Sequence, residues 1–204
     1  MIATVSGLMY GQPIPVEVMA GHQYAMYQHT LSKSISGNNR FGVVHLSNIL
    51  GWYRQPPQKG GMANEFMNQG YLRYSPHKNL SVMAGYFYAN APGLSGSFSM
   101  QYLLNRKNWL LVVSPRFDIK EKGAYEMFGM FEFRPEIAGN LKLYLRFQGM
   151  TSHGPYHHNR SYQRLRLGVE KRGIQFGSGL NMDVYGKSRM VKFNAGLFVR
   201  KAIL

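Results

Sequence analysis

The chain has 204 residues, 45% of them hydrophobic and 14% aromatic, with 23 glycines and no cysteine. That length suits one domain, and the missing cysteines exclude a disulfide framework and a thiolate metal site. Lysine and arginine number 24 against 9 aspartate and glutamate, a formal charge of +15, yet the cations are spread singly along the chain, so a nucleic-acid module is not expected. No run of about 18 apolar residues occurs, which excludes a transmembrane helix. A mean hydropathy of −0.28 leaves a membrane β-barrel open, because each of its strands averages a lipid face with a wet face.

Met1 to Gln12 is apolar and uncharged. Two readings are open for it: the tail of a secretory signal peptide, cleaved near Gly11 or Gln12, or the first strand of the domain. From Pro13 to the end, residues 13–204, the pattern is strand, turn, strand, with no persuasive helix, and it reads as a single β-barrel domain. Val16 to Lys33 offers one or two strands, with a break at Ala20-Gly21. Ser36 to Asn39 turns the chain into Arg40 to Tyr53. A long polar loop with Pro56-Pro57 and Gly60-Gly61 leads to Phe66 to Tyr74, and Ser75 to Asn79 reads as a tight turn. Leu80, Val82, Ala84, Tyr86 and Tyr88 share one face of the next strand. Ser95, Ser97 and Ser99 oppose Phe98, Met100 and Tyr102 in the one after. Asn105 to Asn108 turns into Trp109 to Phe117, and Tyr125 to Arg134 follows.

The clearest stretch is Asn140 to Thr151. Leu141, Leu143, Leu145 and Phe147 alternate with Lys142, Tyr144, Arg146 and Gln148, the period-2 signature of a strand with two unlike faces. It runs near the 9–11 residues that a tilted strand needs to cross a bilayer. Tyr162 to Glu170, Ile174 to Asp183 and Val191 to Arg200 repeat it, with Lys171-Arg172-Gly173 as a hairpin. Connections at 36–39, 75–79, 105–108, 136–140 and 171–173 are tight and those between are mostly longer, as in outer-membrane barrels. The expected fold is therefore all-β, an antiparallel up-and-down transmembrane β-barrel of about twelve strands (10–12). Eleven are counted from Val16, and Ile2 to Met9 or Pro15 to Ala20 supplies the twelfth. In this layout the chain resembles small Gram-negative outer-membrane β-barrel proteins, which implies the bacterial outer membrane as its location. It departs from many of them in ending on Leu204, not on an aromatic residue.

Turning apolar faces outward places Arg116, Arg134, Lys142, Arg146, Arg164, Arg166, Lys192 and Arg200 in the lumen, with Glu126, Glu132, Glu170 and Asp183. Such charges must pair or stay hydrated. Two readings are open: a salt-bridged plug, or an electropositive pore that favours anions. Glu132 and Glu170 are the nearest acids to a ladder of Arg134, Arg146, Arg164 and Arg166.

His45-Leu46-Ser47-Asn48 precedes the longest loop. His45 and Ser47 are two apart, so the imidazole can serve as base to the hydroxyl; the bland reading is polar residues lining the lumen. The tetrad is similar to the H-x-S-N element of outer-membrane phospholipase A and lipid A deacylases. That resemblance implies Ser47 as nucleophile and His45 as base on the lipid-facing side, with Asn64 or Asn68 as orienting group, although Ile49 stands where a glycine usually follows. His153, His157 and His158 share a loop and read as solvated, not as a metal site. Trp52, Tyr53, Tyr74, Tyr86, Tyr88, Tyr102, Trp109, Tyr125 and Tyr185 sit near strand ends, where interface girdles belong. The function expected is a small anion-favouring pore, or a structural or partner subunit of an outer-membrane complex. The alternatives are a lipid acyl-ester hydrolase using His45 and Ser47, and a soluble lipid-binding β-barrel with its faces reversed. The partners expected are outer-membrane lipid, anionic solutes and other outer-membrane proteins, with no cofactor, metal or nucleic acid.

Overall fold

The computed structural model describes residues 14–35, 40–54 and 64–203. The readings of Met1 to Gln12, of the 36–39 turn, of the prolines and glycines at 56–61 and of Leu204 lie outside the described residues. Thirteen strands follow in order: β1 (Ile14–Gly21), β2 (Tyr24–Ser34), β3 (Phe41–Trp52), β4 (Glu65–His77), β5 (Leu80–Ala89), β6 (Gly93–Asn105), β7 (Trp109–Ile119), β8 (Tyr125–Phe133), β9 (Glu136–Ala138), β10 (Leu141–His153), β11 (His158–Lys171), β12 (Ile174–Tyr185) and β13 (Met190–Ile203). Each pairs antiparallel with the next, except that β8 pairs with β10, and β1 closes on β13 from Ile14↔Ile203 to Gly21↔Gly196. The three-residue β9 continues the line of β8 beyond Arg134-Pro135 and pairs with the start of β10, so the wall is a closed barrel of twelve strands. The twelfth strand is β1, from the Pro15 to Ala20 candidate, and the break falls at His22-Gln23.

Alternation decides the faces. Tyr144, Arg146 and Gln148 of β10 are buried inside, while Phe147 points out at 47% exposure; Leu167 on β11 and Leu197 on β13 are exposed by 54% and 69%. Apolar side chains thus cover the outside, as a bilayer requires. This overturns the soluble lipid-binding alternative, which needs the same residues turned inward. Two local expectations also change. Ser75 and Pro76 extend β4 instead of forming a turn, and the register slips between Tyr74 and His77, so Pro76 sits in a bulge where no N–H donor is needed. The turn shrinks to residues 78–79. At 172–173, Arg172 and Gly173 both have positive φ (52° and 75°), the backbone of a two-residue hairpin turn matched to strand twist. The rim asymmetry is weaker than expected: 22–23 and 90–92 are short, and 53–64 alone is long on that rim.

Candidate functional site: the barrel interior

The inward faces carry nearly all of the chain's acids. Glu17, on β1, is 1% exposed; it accepts from Nη2 of Arg146 and, at 2.9 Å, from Nε of Arg166. Those two arginines stand directly opposite one another on β10 and β11, where like charges repel unless an acid lies between them. Glu17 reaches in from β1 to do this, and Gln28 donates to the same carboxylate at 3.1 Å. Glu132 forms the second node, bridging Arg134 at 3.0 Å and Arg200 at 3.1 Å while accepting from the Tyr144 hydroxyl. Arg134 also reaches Glu170 at 3.5 Å. On the other side of the barrel Arg116 pairs with Asp118 and Glu126 and lies 3.8 Å over the Phe87 ring.

The third node joins opposite walls. Arg160 on β11 pairs with Glu65 on β4 and, at 2.7 Å, with Asp183 on β12. β11 and β4 lie six steps apart in the twelve-strand ring. Tyr185 donates to Glu65 at 2.6 Å and Tyr24 donates to Asp183 at 2.9 Å, so the bridge is braced from both ends. Below it an apolar cluster of Met19, Tyr24, Met26, Leu50, Tyr144 and Phe198 fills part of the bore, with Trp52 against it.

Arg164 is the exception to this pairing. It is 2% exposed and forms no ion pair with a carboxylate among the described residues; its guanidinium donates to Gln28 at 3.1 Å and Asn48 at 3.4 Å and lies 4.2 Å over the Tyr162 ring. Its Nε, like those of Arg116, Arg146 and Arg160, has no hydrogen-bond partner among the described residues. Arg73 is a lesser case, donating to the hydroxyls of Ser32 and Ser34.

Each expected lumen residue can now be located. Arg116, Glu132, Arg146, Arg164 and Arg166 are buried within the barrel, and Glu126, Arg134 and Glu170 join them in ion pairs near its ends. Lys142 and Lys192 are half-buried, opposite Glu170 and Asp183 in the ladder. The sequence reading missed Glu17, Glu65, Asp118, Arg160 and Arg73. Glu17 alternates with Val16 and Val18 and was legible as inward-facing; Arg160 and Glu65 lie just beyond the strand ends as read from pattern.

His45 and Ser47 point outward to the lipid side, not into the lumen, since Val44, Leu46 and Asn48 take the inward positions of β3. Both imidazole nitrogens of His45 are engaged, by His29 and by Asn68, each at 2.9 Å. The hydrogen bond from Ser47 to its base, which a nucleophilic serine needs, is therefore not made. Among the girdle residues Tyr53, Tyr74, Tyr102 and Tyr125 are exposed outside. Trp52 and Tyr185 are not girdle residues; they pack inside on Tyr24 and Glu65. No group of three metal-ligating side chains occurs among the described residues.

No protein-family model matches the chain, and no curated protein does. Solved structures do. The KdgM porin aligns over 95% of this chain and 100% of its own at 10% identity, with a TM-score of 0.53. The KdgM porin in complex with disordered oligogalacturonate aligns over the same shares with a TM-score of 0.52. The NanC porin covers 94% and 100% at 10% identity, with a TM-score of 0.53. At such low identity the likeness is one of fold: the chain has the closed barrel of outer-membrane porins.

Proposed function

We propose that the protein is a small channel of the bacterial outer membrane whose lumen favours anions. The observation that carries this reading is Arg164, a buried guanidinium held by amides and a ring with no carboxylate to cancel it. The other buried arginines are paired with acids, Arg146 and Arg166 sharing Glu17, so the uncancelled positive field gathers at Arg164 and at the Arg146–Glu17–Arg166 group. A charge with little water around it acts over a longer range than one at a surface. The porin with oligogalacturonate bound, a polyanion, is consistent with an anionic solute class. Arg116, Glu126, Glu132, Arg134, Arg146, Arg166 and Glu170 line the same lumen and set its width and field by pairing, while Lys142 and Lys192 stand opposite Glu170 and Asp183 in the ladder.

The test is reconstitution in planar bilayers under a salt gradient. The expected result is a reversal potential on the anion side that moves toward zero in Arg164→Gln, while Lys33→Gln, on an outward-facing and exposed position, leaves it unchanged. Cation selectivity, or a properly folded barrel that passes no current, would overturn the proposal.

A further inference from the structure

The outside of the barrel is apolar over most of its girth, as Leu94, Phe98 and Met100 of β6 and Phe117 of β7 illustrate. The outward faces of β2 to β5 break this rule with a continuous hydrogen-bonded seam. Tyr86 on β5 donates to Asn68 Oδ1 at 2.6 Å. Asn68 Nδ2 meets His45 Nε2 at 2.9 Å, His45 Nδ1 meets His29 Nε2 at 2.9 Å, and His29 Nδ1 meets Tyr27 Oη at 2.9 Å. The two imidazoles stack with centroids 5.1 Å apart. Gly70 makes the seam possible: a Cβ there would come within 2.4 Å of the Tyr86 ring, so a bare backbone lets that ring lie across β4 toward Asn68. Polar groups placed against hydrocarbon are costly and tend to mark function.

The seam has a direction. An amide nitrogen only donates, so His45 Nε2 accepts. A neutral imidazole then carries its proton on Nδ1 and donates to His29, which in turn donates from Nδ1 to Tyr27. Neutral is the form that hydrocarbon favours. The two ends are therefore unlike. Tyr86 has given its proton and keeps free lone pairs; Tyr27 has accepted one bond and keeps its O–H. The bilayer core offers a partner to neither.

We propose that this seam is the surface through which the barrel pairs with a second copy of itself. Two barrels inserted the same way round are related by a two-fold axis along the membrane normal, and such an interface is self-complementary. With that axis through β3, the β2 side of each copy faces the β4–β5 side of the other. The Tyr27 hydroxyl of each copy then meets the Tyr86 oxygen of the other, and two hydrogen bonds close both seams into one ring. Symmetry supplies donor and acceptor at matching separation, which an unrelated partner would have to match independently.

The chain has no cysteine, so a single introduced one reports contact without background. Ile49→Cys lies on β3 beside the axis, at a position 40% exposed; Phe147→Cys lies on β10, six steps away round the ring, at 47%. In lipid vesicles treated with a mild oxidant, Ile49→Cys should give a cross-linked dimer and Phe147→Cys should not. Adding Tyr27→Phe and Tyr86→Phe removes both hydrogen bonds and should weaken association about tenfold, each variant being checked for folding by its faster migration in unboiled SDS. Equal cross-linking at the two cysteines, species larger than a dimer, or association unchanged by the folded double variant would overturn the proposal. None of these readings depends on conductance.

Discussion

At the scale of single residues, Glu17 does what neither Glu132 nor Glu170 is placed to do. It is buried between two arginines that face one another across β10 and β11, and without it both guanidiniums would remain buried with no carboxylate between them. Breaking a buried pair by removing one partner costs far more than the pair contributes net, because the remaining charge stays desolvated. Glu17→Gln should therefore destabilise the folded barrel by about 3–5 kcal/mol, read as a lower urea midpoint for loss of the unboiled SDS band. Glu136→Gln, exposed at the rim in β9, should leave that midpoint unchanged. An equal response from both would show that the Glu17 node does not hold the wall.

At the scale of elements, the two faces of each strand were legible from the sequence because alternation is a local property that burial on both sides of a wall enforces. Leu143 and Arg146, or Leu167 and Arg166, can be assigned by parity alone. What parity does not supply is where a strand ends or which strands meet across the bore. The pattern ends β4 at Tyr74 because Ser75-Pro76 looks like a turn, yet a bulge lets Pro76 stay in the strand. It starts β11 at Tyr162 and β4 at Phe66, which leaves out Arg160 and Glu65, a pair that meets only across the bore. The outward seam was half visible: His45 and Ser47 stood out as chemistry, but their face could not be read where Val44, Leu46 and Asn48 make the other face equally mixed. Strand geometry also predicts a depth profile. Phe147 is the seventh of thirteen residues in β10 and Leu94 is the second in β6, both exposed outside. An arginine on the lipid face costs about 2–4 kcal/mol at the midplane and about 0–1 kcal/mol near an interface. Phe147→Arg should therefore lower folding stability in bilayers strongly and Leu94→Arg only slightly. The reverse order would mean that the strand sits at a different height.

At the scale of the whole molecule, the barrel is held together by chords as well as by its ladder. In a ring of twelve strands, contacts such as Arg160 to Glu65 join diametrically opposite walls, and Arg200 to Glu132 and Arg146 to Glu17 join walls four steps apart. These chords narrow the bore by occupying it, so the width available to a solute is set by which of them is made. The Arg160–Glu65 chord is the one to cut, because Glu65 opens β4 directly after the long 53–64 connection and so guards that mouth. Cutting it from the acid side also leaves the fold little disturbed: Arg160 keeps Asp183 at 2.7 Å, so no buried charge is stranded, whereas Tyr185 loses one hydrogen bond. Glu65→Ala should raise single-channel conductance and, by removing an acid from the mouth, shift selectivity further toward anions. Glu121→Ala, in the exposed 120–124 loop, removes the same charge without touching the bore and should change neither quantity. If Glu65→Ala folds normally and its conductance equals that of the parent chain, the narrowest point lies deeper, at the apolar cluster around Tyr144 and Phe198, where Phe198→Ala would then be the variant that widens it.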